Sequence, residues 1–409
     1  MTSPSTHLGS RYRSLYLAPL VMAISHALIQ AFWKIYPPDL EVYIRGGRAL
    51  IERADIYRAS DHLLPFTYPP FAAFLFQGLT HASWAAPTLL TFLSGMALAR
   101  IIILSFCHVE IDGCLDRKFL FLIFAVALFL EPISMTFTLG QVNLILLWMV
   151  FESTTGDSKW RYVGIGIAGG IKLTPLIFLL PLTRRDRWGE LTGNLLSLCG
   201  TLMIGWIAAP TGTIDFFADK IRDPKRVGGV EYISNQSLNG FLWRSLGAGG
   251  DFTIWLTCSV IVIAVASTIT WTTHSRLSQF FVCAGAGVLV SPISWIHHWA
   301  WTLPLIIFLH RGRTTSTKSY RKILSWAFIC LEISRITWLT PHENHAEFSA
   351  PLPFHLTGSL YTALALCLLF LLLYETYMQG ASVSPSTSMN SRPDDPQGIS
   401  REKSAKLST

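Results

Sequence analysis

The sequence predicts an all-α integral membrane protein of about twelve transmembrane helices, and three observations lead there. The 409 residues are 51% hydrophobic and only 14% charged, against about 25% charged in a soluble globular domain. Mean hydropathy is +0.42. The apolar residues are also gathered into runs near the roughly 20 residues that a helix needs to cross a bilayer. The net charge of +7 does not point to nucleic acid, because the basic residues sit in short hairpins between apolar runs rather than along one stripe.

Taken in order, the candidate crossings are 15–33, 69–82, 85–106, 119–131, 139–151, 161–182, 191–209, 252–271, 279–298, 299–310, 323–340 and 357–378. The first follows Arg11 and Arg13 like a secretory signal, but it is too long for one and lacks a small-residue cleavage site, so it reads as a retained anchor. Residues 1–14 are then an inner tail and 15–378 a multi-pass catalytic domain, while 379–409, rich in Ser, Pro and charge, reads as a disordered cytoplasmic tail. Lys and Arg fall about evenly on the two sides. The dense hairpins at 184–187 and 311–322 decide the orientation and place the N-terminus inside. The segments 34–68, 210–251 and 341–356 and the Trp295–Trp299 corner then face outward. Region 119–151 is split by Glu131-Pro132 and Gly140-Gln141, so it crosses as two short helices or re-enters. Irregular backbone at that depth belongs against protein or a wet cavity. Of the seven cysteines, five lie in apolar runs and none has metal or redox spacing; Cys107 and Cys114 flank a loop and read as free thiols.

Segment 39–52 alternates apolar Leu40, Tyr43, Ile44, Leu50 and Ile51 with Glu41, Arg45, Arg48 and Glu52. That is helical periodicity with one polar face, suited to a helix lying along the interface. Asp39 opens it, either as an N-cap contributing about 1 kcal/mol or as a general base facing a cavity. Lys172 lies within an apolar crossing, where a charge costs roughly 3 kcal/mol and usually has a functional reason. It would meet a lipid phosphate, or else snorkel or pair with a buried partner such as Glu131. His297 and His298 sit among tryptophans at an interfacial corner, and neighbouring helical side chains diverge by about 100°, so one of the two is expected to face the site. Asn235-Gln236-Ser237 reads as a glycosylation sequon or as donors to sugar hydroxyls. His342, Glu343 and His345 lack the further ligand that a metal site needs. Arg45, Arg48 and Arg335 are possible phosphate contacts or solvated charges.

In order along the chain run Pro38-Asp39-Leu40-Glu41-Val42-Tyr43, Phe66-Thr67-Tyr68-Pro69-Pro70, Glu131-Pro132-Ile133-Ser134 and Gly140-Gln141-Val142-Asn143. Lys172-Leu173-Thr174-Pro175, Asn235-Gln236-Ser237 and Ser291-Pro292 through Trp299 follow. Together, over about 35–340, they resemble the actinobacterial polyprenyl-phosphate-mannose-dependent α-1,2-mannosyltransferases, glycosyltransferase family 87 of the GT-C superfamily, the lipomannan-branching enzymes most of all and the phosphatidylinositol-mannoside enzyme next. The resemblance implies a GT-C fold in the plasma membrane with an extracytoplasmic site. It maps the catalytic aspartate onto Asp39 and the basic and histidine positions onto Lys172, His297 and His298. Glu41 stands where close relatives carry Asp.

The function expected is inverting transfer of mannose from a β-linked polyprenyl phosphate to the 2-hydroxyl of an α-mannoside on a lipid-anchored glycan. Asp39 would act as base, Lys172 and a histidine would hold the departing phosphate, and Glu41, Tyr43, Tyr68, Gln141, Asn143 and Asn235 are candidates for sugar or acceptor contacts. The scheme needs no metal, nucleotide-sugar or other cofactor and no nucleic acid; its partners are the donor lipid, the mannosylated acceptor and membrane lipid. The alternatives are a GT-C transferase for another lipid-linked sugar, or a polyprenyl-lipid flippase or transporter.

Overall fold

The structure is a computed structural model that describes residues 13–33, 36–58, 64–109, 116–247, 252–311 and 318–383. Residues 1–12 and 384–409, Cys114 and part of the 311–322 hairpin lie outside the described residues, and with them most of both expected tails. Among the described residues the chain is helical, its one β-bridge joining Asn235 to Trp295. Four helices are long and apolar enough to cross a membrane: Ala86–His108, Arg185–Ala208, Phe252–Thr272 and Leu360–Met378. Helices also occupy the other expected crossings, but shorter or broken, and the breaks follow local chemistry.

The segment after α1 (Leu17–Trp33) forms α2 (Pro38–Ile51). Leu40, Val42, Tyr43, Ile44, Gly46 and Gly47 are buried, while Glu41, Arg48 and Glu52 remain exposed. Pro38 sets the first helical turn, a position that needs no N–H. Asp39 is the second residue of α2 and makes no capping bond, so the capping role does not hold. Helices α3 (Pro70–His81) and α4 (Ala86–His108) follow.

The 119–151 region resolves into three helices: α5 (Arg117–Ala127), α6 (Glu131–Leu139) and α7 (Asn143–Thr155). A bend of 70° separates α5 from α6, where Pro132 enters the first turn of α6 with Leu130 extended. Gly140 ends α6 in the left-handed region at φ 69°, a conformation glycine adopts without the Cβ penalty. The expected crossing at 161–182 is likewise two pieces, α8 (Gly164–Ile171) and a 3₁₀ segment over Thr174–Thr183. Lys172 stands at the join in extended backbone, φ −147° and ψ 131°, because Pro175 has no N–H to offer and its ring would clash with the Ile171 carbonyl if the helix ran on.

Close packing keeps α8 in place against α9 (Trp188–Ala208). A Cβ on Gly166 would lie 2.1 Å from the Asn194 carbonyl oxygen, and one on Gly170 would lie 2.2 Å from Thr201 Oγ1. Small residues at such a crossing let two backbones approach. Asn194 uses the proximity, its side-chain oxygen accepting from the N–H groups of Ile165 and Gly166 at 3.0 and 3.1 Å. Helices α10 (Pro210–Ala218), α11 (Leu238–Leu246), α12 (Phe252–Thr272) and α13 (Arg276–Val290) continue the chain. A 3₁₀ turn over Ile296–Trp301 leads into α14 (Thr302–Arg311) and α15 (Lys318–Ser334), and α16 (Leu352–Thr357) and α17 (Leu360–Val383) close the described chain. Helix α17 runs past the expected start of the tail at 379.

Some of the charges within the bundle are paired. Arg321 and Glu375 form a buried two-pronged pair at 2.7 Å in both bonds, the geometry that makes a guanidinium–carboxylate bond strong. Glu131 does not meet Lys172. It accepts from Trp338 Nε1 and, at 2.9 Å, from the Tyr361 hydroxyl.

Candidate active site

The broken segments converge on one cavity of about 240 Å³. Asp39 and Tyr43 reach it from α2, Tyr68 from the loop before α3, Gln141 from the α6–α7 turn, Lys172 from the α8 break, and both histidines from the 3₁₀ turn. Apart from Tyr43, which lies in the body of α2, each arrives from an irregular backbone or a helix end, where a side chain can project into the cavity rather than pack along a helix face.

The polar groups form two bonded sets. In the first, Gln141 Nε2 donates to Asp39 Oδ2 at 2.6 Å, while Gln141 Oε1 accepts from Tyr43 at 2.8 Å and from Tyr68 at 3.2 Å. Burial pushes the Asp39 carboxyl above its ordinary value, and the Gln141 amide and the Lys172 charge pull the other way. Burial also raises both phenols, so Tyr43 and Tyr68 are neutral donors. In the second set, Lys172 Nζ lies 3.2 Å from Asn143 Oδ1 and 2.8 Å from His298 Nε2, with Nζ 5.7 Å from the Tyr68 ring centre. Asn143 Nδ2 donates to the His297 carbonyl at 3.1 Å, tying the histidine turn to α7.

The expectation that only one histidine faces the site is overturned: both border the cavity, their rings 4.7 Å apart and crossed at 89°. The reason is that Ile296–Trp301 is a short 3₁₀ turn projecting toward the cavity, not a helix wall with one inward face. The two differ in their bonding. His298 is engaged with Lys172, whereas His297 is 4% exposed and neither of its ring nitrogens has a hydrogen-bond partner among the described residues.

Other expected contacts lie elsewhere. Glu41 is exposed and within 4.0 Å of Arg45 on its own helix, away from the cavity lining. Asn235 is fully buried as a loop clamp, its oxygen accepting from Ser294 N at 2.9 Å and its amide donating to the Val230 carbonyl at 2.8 Å. Burial of the whole Asn235-Gln236-Ser237 tripeptide removes the sequon reading, because an attached glycan would have no room. Asn143 lines not the main cavity but a slot of about 100 Å³ that opens beside Lys172 and His298 and is walled mostly by apolar residues such as Leu146, Val150 and Phe178, with Thr174, Ser291 and Ser294 among them. Arg45 donates to the Leu64 carbonyl at 2.6 Å and Arg335 to Ser134 Oγ at 2.8 Å. His342 meets the Thr340 carbonyl and His345 meets Glu231. Among the described residues no three His, Cys, Asp or Glu gather as metal ligands.

Three charged residues of the cavity lining had no place in the sequence reading. Arg226 lines the mouth with Lys220 and Asp223. Its guanidinium donates to the carbonyls of Lys220, Phe66 and Thr67 at 2.8, 3.0 and 3.3 Å, pinning the 219–227 loop to the Tyr68 segment. The charged run Lys220–Arg226 was the available signal, but charge in a long loop is ordinarily solvated.

The family described as Glycosyltransferase family 87 matches residues 66–292, more than half of the chain. The chain belongs to glycosyltransferase family 87. Two relatives named polyprenol-phosphate-mannose-dependent alpha-(1-2)-phosphatidylinositol pentamannoside mannosyltransferase are 28% identical. The one from Mycolicibacterium smegmatis aligns over 83% of this chain and 86% of its own, and the one from Mycobacterium tuberculosis over 81% and 80%. A second Mycobacterium tuberculosis relative, named for phosphatidylinositol mannoside, is 30% identical over 74% of this chain and 78% of its own. No solved structure matches the family 87 chain.

Proposed function

We propose that this family 87 protein transfers mannose from a polyprenyl-phosphate donor, with inversion, to the 2-hydroxyl of an α-mannoside on a phosphatidylinositol mannoside or a related lipid-anchored glycan. The observation that carries the reading is a single cavity lined both by a half-buried carboxylate, Asp39, and by a cationic group, Lys172 with the two histidines. The relatives' printed names supply the donor and acceptor classes.

In the reaction the acceptor oxygen attacks the anomeric carbon as the bond from that carbon to the phosphate oxygen breaks. The acceptor proton passes to Asp39, and the electron pair leaves on the polyprenyl phosphate. A phosphate leaving group needs charge stabilisation rather than protonation. Lys172 supplies it, positioned by Asn143 and His298, and preorganised charge in a water-poor site acts more strongly than in water. The unpartnered ring of His297 offers one N–H donor to phosphate or sugar. The apolar slot beside Lys172 fits the first isoprene of the donor. Tyr43 and Tyr68 shape the sugar wall; Glu41 and Asn235 take no part in this scheme.

The reading also sets residues 15–378 as one catalytic membrane domain in the plasma membrane. The shorter and broken helices cross alongside the four long ones, α2 lies along the outer interface, and the cavity opens on the extracytoplasmic side. The test is mannosyl transfer in membranes supplied with radiolabelled polyprenyl-phosphate-mannose and a phosphatidylinositol mannoside. Asp39→Asn, at equal folded yield, is expected to lose about 10²- to 10⁴-fold, the range of a general base. Wild-type rates in that variant would remove Asp39 as the base.

A further inference from the structure

A general base with two oxygens must present one of them to the acceptor, and the structure distinguishes the two. Oδ2 of Asp39 is held by the Gln141 amide at 2.6 Å, whereas Oδ1 carries no hydrogen bond among the described residues. A glutamine amide can be placed either way round, and here its neighbours choose. Gln141 Oε1 faces the hydroxyls of Tyr43 and Tyr68, which lie 3.0 Å from each other. Turned over, the amide would set its oxygen against an ionised carboxylate with no proton between them. Gln141 is itself 6% exposed, and its backbone N–H is anchored to the Thr136 carbonyl at 2.9 Å.

We propose that Gln141 is a positioning residue: oriented by the two tyrosines, it holds Oδ2 of Asp39, so that Oδ1 is the oxygen that takes the acceptor proton. The proposal rests on Asp39 as the base. By donating to the ionised form, Gln141 also sets the pH at which that base becomes available, against the burial that disfavours ionisation. The other charged or titratable groups facing Asp39 are Lys172 from the α8 break, His297 and His298 from the 3₁₀ turn, and the two phenols. Lys220, Asp223 and Arg226 face it from the 219–227 loop. All of these remain when Gln141 is replaced, so a shift in the acid limb reports the amide alone.

The experiment measures the pH dependence of kcat/KM, with kcat and donor KM taken separately, for the full chain in detergent with radiolabelled polyprenyl-phosphate-mannose. Gln141→Leu is expected to move the acid limb up by about one pH unit, a typical size for loss of one charged hydrogen bond. It should lower kcat about 10- to 100-fold and change donor KM less than threefold. Gln141→Glu, which sets a second carboxyl against Oδ2 and makes the two share a proton, moves the limb further. Tyr43→Phe removes one orienting hydroxyl and gives a smaller shift in the same direction, and it serves if Gln141→Leu does not accumulate. An unmoved limb in these variants, with donor or acceptor KM raised instead, would overturn the proposal in favour of a plain sugar contact. If Asp39→Asn is inactive while the limb stays put, the positioning role falls alone; if Asp39→Asn is fully active, both fall.

Discussion

Lys172 illustrates how one side chain is made functional by its surroundings. It sits where a helix ends, bonded to Asn143 and His298, so its charge is aimed at the cavity instead of snorkelling to a membrane face. Lys172→Met should remove a charge-assisted bond to the departing phosphate, worth about 1.5–3 kcal/mol, and lower kcat/KM by roughly 10- to 100-fold at about 1.4 kcal/mol per decade. A defect confined to acceptor KM would contradict the phosphate role. His297→Gln and His298→Gln should differ: the first loses a free donor, the second only a prop for Lys172, so His297 should be the more damaging in donor binding. Asp39 links activity to stability through its raised carboxyl. A carboxyl that is easier to protonate in the folded state than in the unfolded chain binds more protons there. Stability therefore falls as pH rises from the ordinary carboxylate value through the raised one, and stays reduced above it. Asp39→Asn should accordingly melt at a higher temperature than wild type at pH 7 in detergent while losing activity. A lower melting temperature would show that the carboxylate stabilises the fold.

At the scale of elements, α6 is the strut on which the site hangs. Its N-terminal Glu131 is locked by Trp338 and Tyr361, its Ser134 accepts from Arg335, and beyond its C-terminus Gln141 reaches Asp39. The turn between them is tight. A Cβ on Gly140 would come within 2.7 Å of Pro37 Cβ and 3.0 Å of Leu40 Cβ, in a left-handed backbone that disfavours any side chain. Gly140→Ala should therefore push the α6–α7 turn off the start of α2. The expected result is a loss of about 1–3 kcal/mol of stability from strain and at least a tenfold fall in kcat, read by thermal melting and the mannosyl assay. Unchanged activity would mean that α2 can shift without carrying Asp39 away. Tyr361→Phe leaves one Glu131 oxygen without its donor at the far end of the same helix and should lower kcat more than it changes KM.

Across the whole molecule, the orientation rests on where basic hairpins fall, and some of that charge is already engaged. Arg187 is buried against Glu190 and Gln279, and Arg321 against Glu375. The positive-inside bias counts Lys and Arg near the ends of crossings irrespective of such pairing, so the pairing does not count against the proposed orientation, with the 184–187 hairpin on the inner face. Alkaline phosphatase fused after Tyr57 or Gly229 should be active, and inactive after Arg185. The reverse pattern would put the cavity on the side without lipid-linked mannose and remove the proposed reaction.

The sequence by itself determined the all-helical membrane class, the long apolar helices and the residue types of the candidate site, but not the helices at Glu131–Leu139, Pro210–Ala218 and Leu238–Leu246. Those signals are local: long apolar runs, prolines and glycines that stop helices, and ionisable groups where apolar ones are the rule. Glu131-Pro132 and Gly140 each marked a break that the fold then used, whereas the break at Lys172 fell inside a stretch read as one crossing. Only the tertiary structure decided which polar residues meet. Asn235 and Asn143 are equally plausible sugar ligands on paper, yet one is a buried clamp and the other steadies Lys172. Gln141 gains its connection to Asp39 across 102 positions of chain, and Arg226 enters the cavity mouth from a loop that composition marks as solvated. Such pairings depend on how irregular segments from distant parts of the chain converge, and no periodicity or spacing within one segment encodes that.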